Sequence, residues 1–153
     1  MNKLKAGDPA PAFSGIDQDG NAVTLDSLRG KRVILYFYPK DNTPGCTAEA
    51  CSLRDGKREL ERMGFVILGV SPDSAKSHQG FIAKHNLNFP LLADTDHRIA
   101  TDYGVWGEKK FMGRTHMGIL RTTFVIDAAG HIEKIFDKVD TARHFEQIAD
   151  SYK

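Results

Sequence analysis

An α/β sandwich built around a mixed sheet is the fold class that three stretches of this sequence predict. The run RVILYFY at 32–38 is apolar, β-branched and aromatic throughout, as expected of a central strand buried on both faces. It opens a β–α–β alternation through 44–63 and 65–70, which calls for parallel strands with a helix packed across them. Later, two strand-like runs at 120–126 and 131–137 are separated only by Asp127-Ala-Ala-Gly130, a tight turn that adds antiparallel strands at one side.

The remaining elements follow in chain order. Segments 12–16 and 22–25 flank Gln18-Asp19-Gly20-Asn21, whose Asp-Gly step predicts a β-hairpin as an N-terminal extension. Residues 26–30 read as one helical turn with Asp26 as cap and Gly30 as stop. Pro39 ends the central strand. The 44–63 stretch is rich in Ala, Glu, Leu, Lys and Arg and reads as a long helix, with Gly56 as a candidate kink and Gly64 as its stop. After the strand at 65–70 comes a Ser71-Pro72-Asp73 turn, a helix at 74–86, a short strand at 90–93 and a short helix at 96–103. A helix over 141–152 closes the chain. The run from Glu108 to Arg114, with its charges and glycine, reads as an exposed loop. Trp106, Phe111, Met112 and Met117 fit either the core or an apolar lip beside a site.

The chain has 153 residues, within the ~100–200 expected of one domain, so residues 1–153 are read as a single unit. Lys and Arg number 21 against 20 Asp and Glu, and the resulting charge of +1 leaves no electrostatic footprint for nucleic acid or an anionic membrane. Apolar runs stop far short of the ~20 residues of a spanning helix. The N-terminal stretch lacks the apolar core of a secretory signal, so a cytoplasmic protein is expected. P-loop, G-x-G-x-x-G and G-x-S-x-G patterns are absent, which removes nucleotide-binding and serine-hydrolase readings based on them. Histidines 78, 85, 97, 116, 131 and 144 are scattered without metal-ligand spacing. No metal or other cofactor is expected.

Two cysteines remain, Cys46 and Cys51. Their number and spacing suit neither a disulfide scaffold nor a four-ligand zinc site, which leaves inert buried thiols or redox chemistry. Both lie in PKDNTPGCTAEAC, at the C-terminal end of the central strand, where open α/β sheets carry ligands. Thr43 is a good N-cap and Pro44 is suited to the first helical position, which places Gly45 second and Cys46 third. Cys46 then sits beside unpaired backbone N–H groups at the positive end of the helix dipole, a place that favours a thiolate. A free thiol with pKa ~8.5 needs ~2.7 kcal/mol of differential stabilisation to fall by ~2 units. A helix terminus supplies up to ~2 kcal/mol, so hydrogen bonds, such as one from Thr43, and a cation must supply the rest. Residues five apart on an ideal helix have Cα atoms ~8.5 Å apart, beyond the ~4.4–6.8 Å of a disulfide. If Cys46 and Cys51 bond, the first turns of the helix must unwind.

Pro39-x-x-x-Thr43-x-x-Cys46, preceded by Phe37-Tyr38, resembles the active-site motif of the peroxiredoxins, and Cys51 five positions on is similar to the Q-type group, the bacterioferritin comigratory proteins. GDPAPAF near the N-terminus, the stretch DYGVWGEKKFMGRTHMGILRTTFVID and the closing helix match as well, so the resemblance spans essentially the whole chain. It implies a thioredoxin-like fold and thiol-dependent reduction of hydrogen peroxide and organic hydroperoxides. Cys46 matches the peroxidatic cysteine and Cys51 the resolving one, the two forming an intramolecular disulfide that thioredoxin, or a glutaredoxin, reduces. Pro39 would shield the site, and Thr43 would hydrogen-bond peroxide and thiolate. Gly45 falls within the substrate-binding stretch. Arg121 matches the active-site arginine and is the missing cation, and Glu49 matches a position that orients it. No cysteine follows Cys51, which argues against the cross-subunit disulfide of the typical two-cysteine group and for a monomer. A peroxide sensor or redox-switched chaperone, stopping after one oxidation, is the alternative from another class.

Overall fold

The structure, a computed structural model, describes residues 4–153 apart from the side chain of Phe111. In order the chain forms β1 (Ser14–Ile16), β2 (Ala22–Thr24), β3 (Arg32–Phe37), α1 (Pro44–Arg62), β4 (Phe65–Ser71), α2 (Ala75–His85), β5 (Leu91–Ala93), α3 (Arg98–Asp102), β6 (Trp106–Phe111), β7 (Arg114–Ile119), β8 (Thr122–Ile126), β9 (Ile132–Phe136) and α4 (His144–Asp150). Short 3₁₀ turns occupy Asp26–Leu28 and Thr141–Arg143.

The main sheet has the order β5-β4-β3-β8-β9, with β3 parallel to β4 and antiparallel to β8. This is the mixed sheet expected, with the apolar run at its centre. Because side chains alternate across a strand, β3 feeds two cores. Val33, Leu35 and Phe37 join Phe13, Val70, Ile99, Tyr103 and Phe124 on one face. Ile34, Tyr36 and Tyr38 join Ala50, Leu53, Leu60, Phe81 and Ile148 on the other, beneath α1, α2 and α4. Cys46 lies in this second core. β1 and β2 form the expected hairpin, closed by Asp17 accepting from the Asp19 and Asn21 N–H groups, with Gly20 at φ 81°.

The structure departs from expectation in several places. The stretch expected as an exposed loop forms a hairpin, β6 with β7, turning at Met112 and Gly113, both at positive φ (51° and 78°). Two consecutive left-handed residues match the twist of paired strands. β7 is exposed along most of its length, so no apolar alternation marks it as a strand. Of the residues that fit either core or an apolar lip, Trp106 packs against the first core and stacks on His97, while Met112 and Met117 are solvent-exposed. α1 runs as one continuous helix through Gly56, where a Cβ would lie 2.1 Å from the Phe145 ring of α4. Asp26 caps nothing and pairs with Arg29 instead. The closing helix starts as a 3₁₀ turn and becomes α-helical only at His144.

Candidate active site

The antiparallel register of β3 and β8 brings the site together. Phe37, the last residue of β3, pairs with Thr122, the first of β8, so Arg121 arrives where the chain leaves β3 for α1. Pro39 is half-buried at the start of that connection. Thr43 is the N-cap and Pro44 the first helical residue. The Thr47 N–H returns to the Thr43 carbonyl at 2.8 Å, leaving the Gly45 and Cys46 N–H groups without intrahelical partners. Cys46 is buried and Cys51 partly exposed, and both are free thiols on the same unbroken helix. At that spacing an intact α1 holds them beyond disulfide reach.

Thr43 differs from expectation. Its side chain makes no cap bond, and its hydroxyl donates to the Lys40 carbonyl at 2.9 Å, bracing the loop instead of the sulfur. With its proton committed, the hydroxyl has lone pairs to offer an incoming O–H.

The guanidinium of Arg121 bridges two acceptors. Its Nη2 lies 3.3 Å from Cys46 Sγ and its Nη1 donates to Glu49 Oε1 at 2.6 Å. Burial works against its charge, but Glu49 and Cys46 outweigh it and hold the guanidinium still more firmly protonated. A Cβ on Gly45 would come within 3.3 Å of Nη2, so a larger residue there would crowd the same nitrogen.

Glu49 is fully buried, and burial pushes its carboxyl up to about 7 against the pull of Arg121. Among the described residues its Oε2 has no hydrogen-bond partner, and it lies 3.6 Å from His144 Nε2. His144 is also fully buried, and burial pushes it down to about 4, so the imidazole is neutral at physiological pH. Gln147 fixes its tautomer. The Gln147 amide donates to the Lys138 carbonyl and its Oε1 accepts from the Asp140 N–H, so Oε1 also accepts from His144 Nδ1. Thr123 then donates to Nε2 at 2.8 Å. The contact between His144 and Glu49 is therefore no ion pair, which is why the burial of Glu49 is offset by Arg121 alone. Nearby, the buried Tyr36 hydroxyl has no partner among the described residues, and burial, followed by the charge of Glu49, pushes its ionisation well above the usual range.

Cys46, Arg121 and Glu49 thus meet as the sequence suggests, with Thr43, Pro39 and Gly45 around them. Sequence reasoning passed over His144, Thr123 and Tyr36. Tyr36 and Thr123 read as ordinary strand residues, and a lone histidine opening a distant helix carries no local signal.

A cysteine in the first turn of the helix that follows the central strand of a thioredoxin-like sheet, faced by a cross-strand arginine, defines a thiol peroxidase of the peroxiredoxin class. Residues 6–135 match the AhpC/TSA family, and the chain belongs to it. It is 52% identical over 150 residues to the putative peroxiredoxin bcp of Haemophilus influenzae, covering 98% of this chain and 97% of that one. It is 51% identical over 148 residues to peroxiredoxin Bcp of Escherichia coli K12, covering 97% and 95%. Among solved structures, a cysteine-to-serine mutant of Xylella fastidiosa PrxQ superposes with a TM-score of 0.92 at 30% identity, covering 99% of this chain and 97% of that one. The bacterioferritin comigratory protein of Xanthomonas campestris, described for alkyl peroxide reduction, superposes at 0.88 with 34% identity and 96% of each chain covered.

Proposed function

We propose that this enzyme reduces hydrogen peroxide and organic hydroperoxides with Cys46 as the peroxidatic and Cys51 as the resolving cysteine. The observation that carries this reading is the 3.3 Å approach of Arg121 Nη2 to Cys46 Sγ at a helix N-terminus. There the guanidinium and the free Gly45 and Cys46 N–H groups favour a thiolate and then the charge that develops on the peroxide oxygens. The Cys46 thiolate attacks one oxygen in line. An S–O bond forms, the O–O bond breaks, and the departing alkoxide or hydroxide takes a proton to leave as alcohol or water. Thr43, its own proton held by Lys40, accepts from the peroxide O–H.

Cys46 is now a sulfenic acid. The first turns of α1 unwind, the Cys51 thiolate attacks the sulfenic sulfur, an S–S bond forms and hydroxide leaves as water. A dithiol returns both cysteines to thiols by exchange, becoming a disulfide itself. The reductant proposed is thioredoxin. The relatives of the Bcp group and the alkyl peroxide reduction described for the Xanthomonas protein support the peroxidase chemistry. A monomer acting in the cytoplasm, where thioredoxin operates, completes the reading.

The test is chemical trapping. After one equivalent of peroxide, the Cys51→Ser variant should hold a trappable sulfenic acid at Cys46, while the unaltered protein should hold a Cys46–Cys51 disulfide. No sulfenic acid at Cys46 in Cys51→Ser, or no disulfide in the unaltered protein, contradicts the assignment of roles.

A further inference from the structure

The segment between β3 and α1 is held to its neighbours through a buried carboxylate. Asp41 is 4% exposed and gathers donors from three directions. The Tyr38 hydroxyl donates to Oδ1 at 2.6 Å, and the Ser77 hydroxyl donates to Oδ2 at 2.8 Å. His78 Nδ1 lies 2.8 Å from the same Oδ2. The Asp41 backbone N–H in turn donates to Asp73 Oδ2, which also accepts from the Ser71 hydroxyl. Ser77 and His78 belong to α2, and Ser71 and Asp73 to β4 and the turn after it, so the cluster ties the catalytic loop to its neighbours. Immediately after Asp41 the chain turns through Asn42 at φ 64° into the N-cap Thr43.

His78 is fully buried, and its protonation follows from its partners. Nε2 lies 2.9 Å from the Leu92 carbonyl, which only accepts, so Nε2 carries a hydrogen. A proton must then also lie between Nδ1 and Asp41 Oδ2. Carried by the nitrogen it makes an ion pair, and carried by the oxygen it makes a carboxyl donating to a neutral ring. In both forms the loop is fastened to α2 by one buried proton, and removing either partner strands the other. The same atoms group closely enough to suggest a metal site. Asp41 is, however, already filled by Tyr38, Ser77 and His78, so the cluster is closed by its own donors.

We propose that Asp41 and His78 are positioning residues for Cys46. They hold folded the loop from which the first turn of α1 springs, and so set how oxidised Cys46 divides between two fates. In the folded form a second hydroperoxide oxidises the sulfenic acid to sulfinic acid, releasing water or alcohol. In the unwound form Cys51 reaches the sulfenic sulfur and forms the disulfide. The proposal rests on the resolving role of Cys51 set out above.

The experiment compares the full-length protein with His78→Asn, Asp41→Asn and a control, Ile126→Val, buried on the opposite face of the sheet. Each reduced protein is pulsed with rising hydrogen peroxide, and disulfide and sulfinic acid are counted by mass spectrometry. Amide hydrogen exchange over residues 40–51 is followed in parallel. The expected result is faster exchange in that segment by about tenfold or more in both variants. Disulfide formation should speed up and the peroxide concentration giving half sulfinic acid should rise by a similar factor, with neither moving in Ile126→Val. Exchange and partition matching the control in a folded variant would overturn the proposal, and Asp41→Asn decides if His78→Asn does not fold. Absence of any disulfide in the unaltered protein would instead overturn the resolving role of Cys51, a distinct outcome.

Discussion

Arg121 and Glu49 lie 72 positions apart in the chain and 2.6 Å apart in the site, and the same guanidinium faces Cys46 Sγ at 3.3 Å. One guanidinium serves two acceptors. The carboxyl fixes where the guanidinium points, so in the proposed mechanism the reactivity of Cys46 depends on a residue that does not touch the sulfur.

Replacing Arg121 with Ala should slow the oxidation of Cys46 by about ten- to a hundredfold, since the hydrogen bond it makes to the charged sulfur is worth ~1.5–3 kcal/mol. Arg121→Lys keeps the charge but not the two-pronged geometry and should fall between. Stopped-flow oxidation checks both variants.

Glu49 carries a pH signature. Burial raises its carboxyl from 4.5 to about 7, so the folded chain retains a proton that the unfolded chain releases between those values. The stability this contributes is complete below pH 4.5 and is lost as pH rises through about 7. Glu49→Gln should remove that decline from urea midpoints measured across the range. The oxidation rate of the unaltered protein should show an ionisation near pH 7 that the variant lacks, with a rate in the variant about tenfold lower for want of the charge-assisted bond to Arg121.

His144 has the opposite sign. Burial lowers it from 6.5 to about 4, so below pH 6.5 the unfolded chain gains a proton that the folded chain refuses. Its contribution is complete above pH 6.5 and is lost as pH falls toward 4. The stability difference between the unaltered protein and His144→Asn should therefore widen from pH 4 to 6.5 and then level off. Urea titrations at a series of pH values measure it directly.

Gly56→Ala sets two effects against each other. Ala favours a helix interior by ~1 kcal/mol over Gly. Here, however, the new methyl falls 2.1 Å from the Phe145 ring, and overpacking costs ~1–3 kcal/mol. Net destabilisation of up to about 2 kcal/mol is expected, measured as a lower urea midpoint, and Phe145→Leu in the same chain should recover part of it.

The central strand, the β–α–β unit, the N-terminal hairpin and the late antiparallel pair were legible because each carries a continuous apolar run or a turn signal. The first helical turn was equally readable, since Thr43, Pro44 and Cys46 sit at cap and first-turn positions with known preferences. Arg121 was identified by resemblance, because nothing local tells a strand arginine that reaches across a sheet from one that faces water. His144 and the Asp41–His78 pair were not legible, because their meaning comes from packing α2 and α4 against the catalytic helix. The hairpin ending at Met112 and Gly113 escaped for the opposite reason: it is exposed, so burial left no pattern in it.

The most direct test of the account is turnover. The purified protein is given hydrogen peroxide with thioredoxin, thioredoxin reductase and NADPH, and NADPH loss is followed over many equivalents for the unaltered chain, Cys46→Ser and Cys51→Ser. The account predicts sustained consumption by the unaltered chain, none above background with Cys46→Ser, and a burst near one equivalent followed by little turnover with Cys51→Ser. Sustained consumption by Cys46→Ser, or a single stoichiometric burst from the unaltered chain with both thioredoxin and glutaredoxin systems, would contradict it.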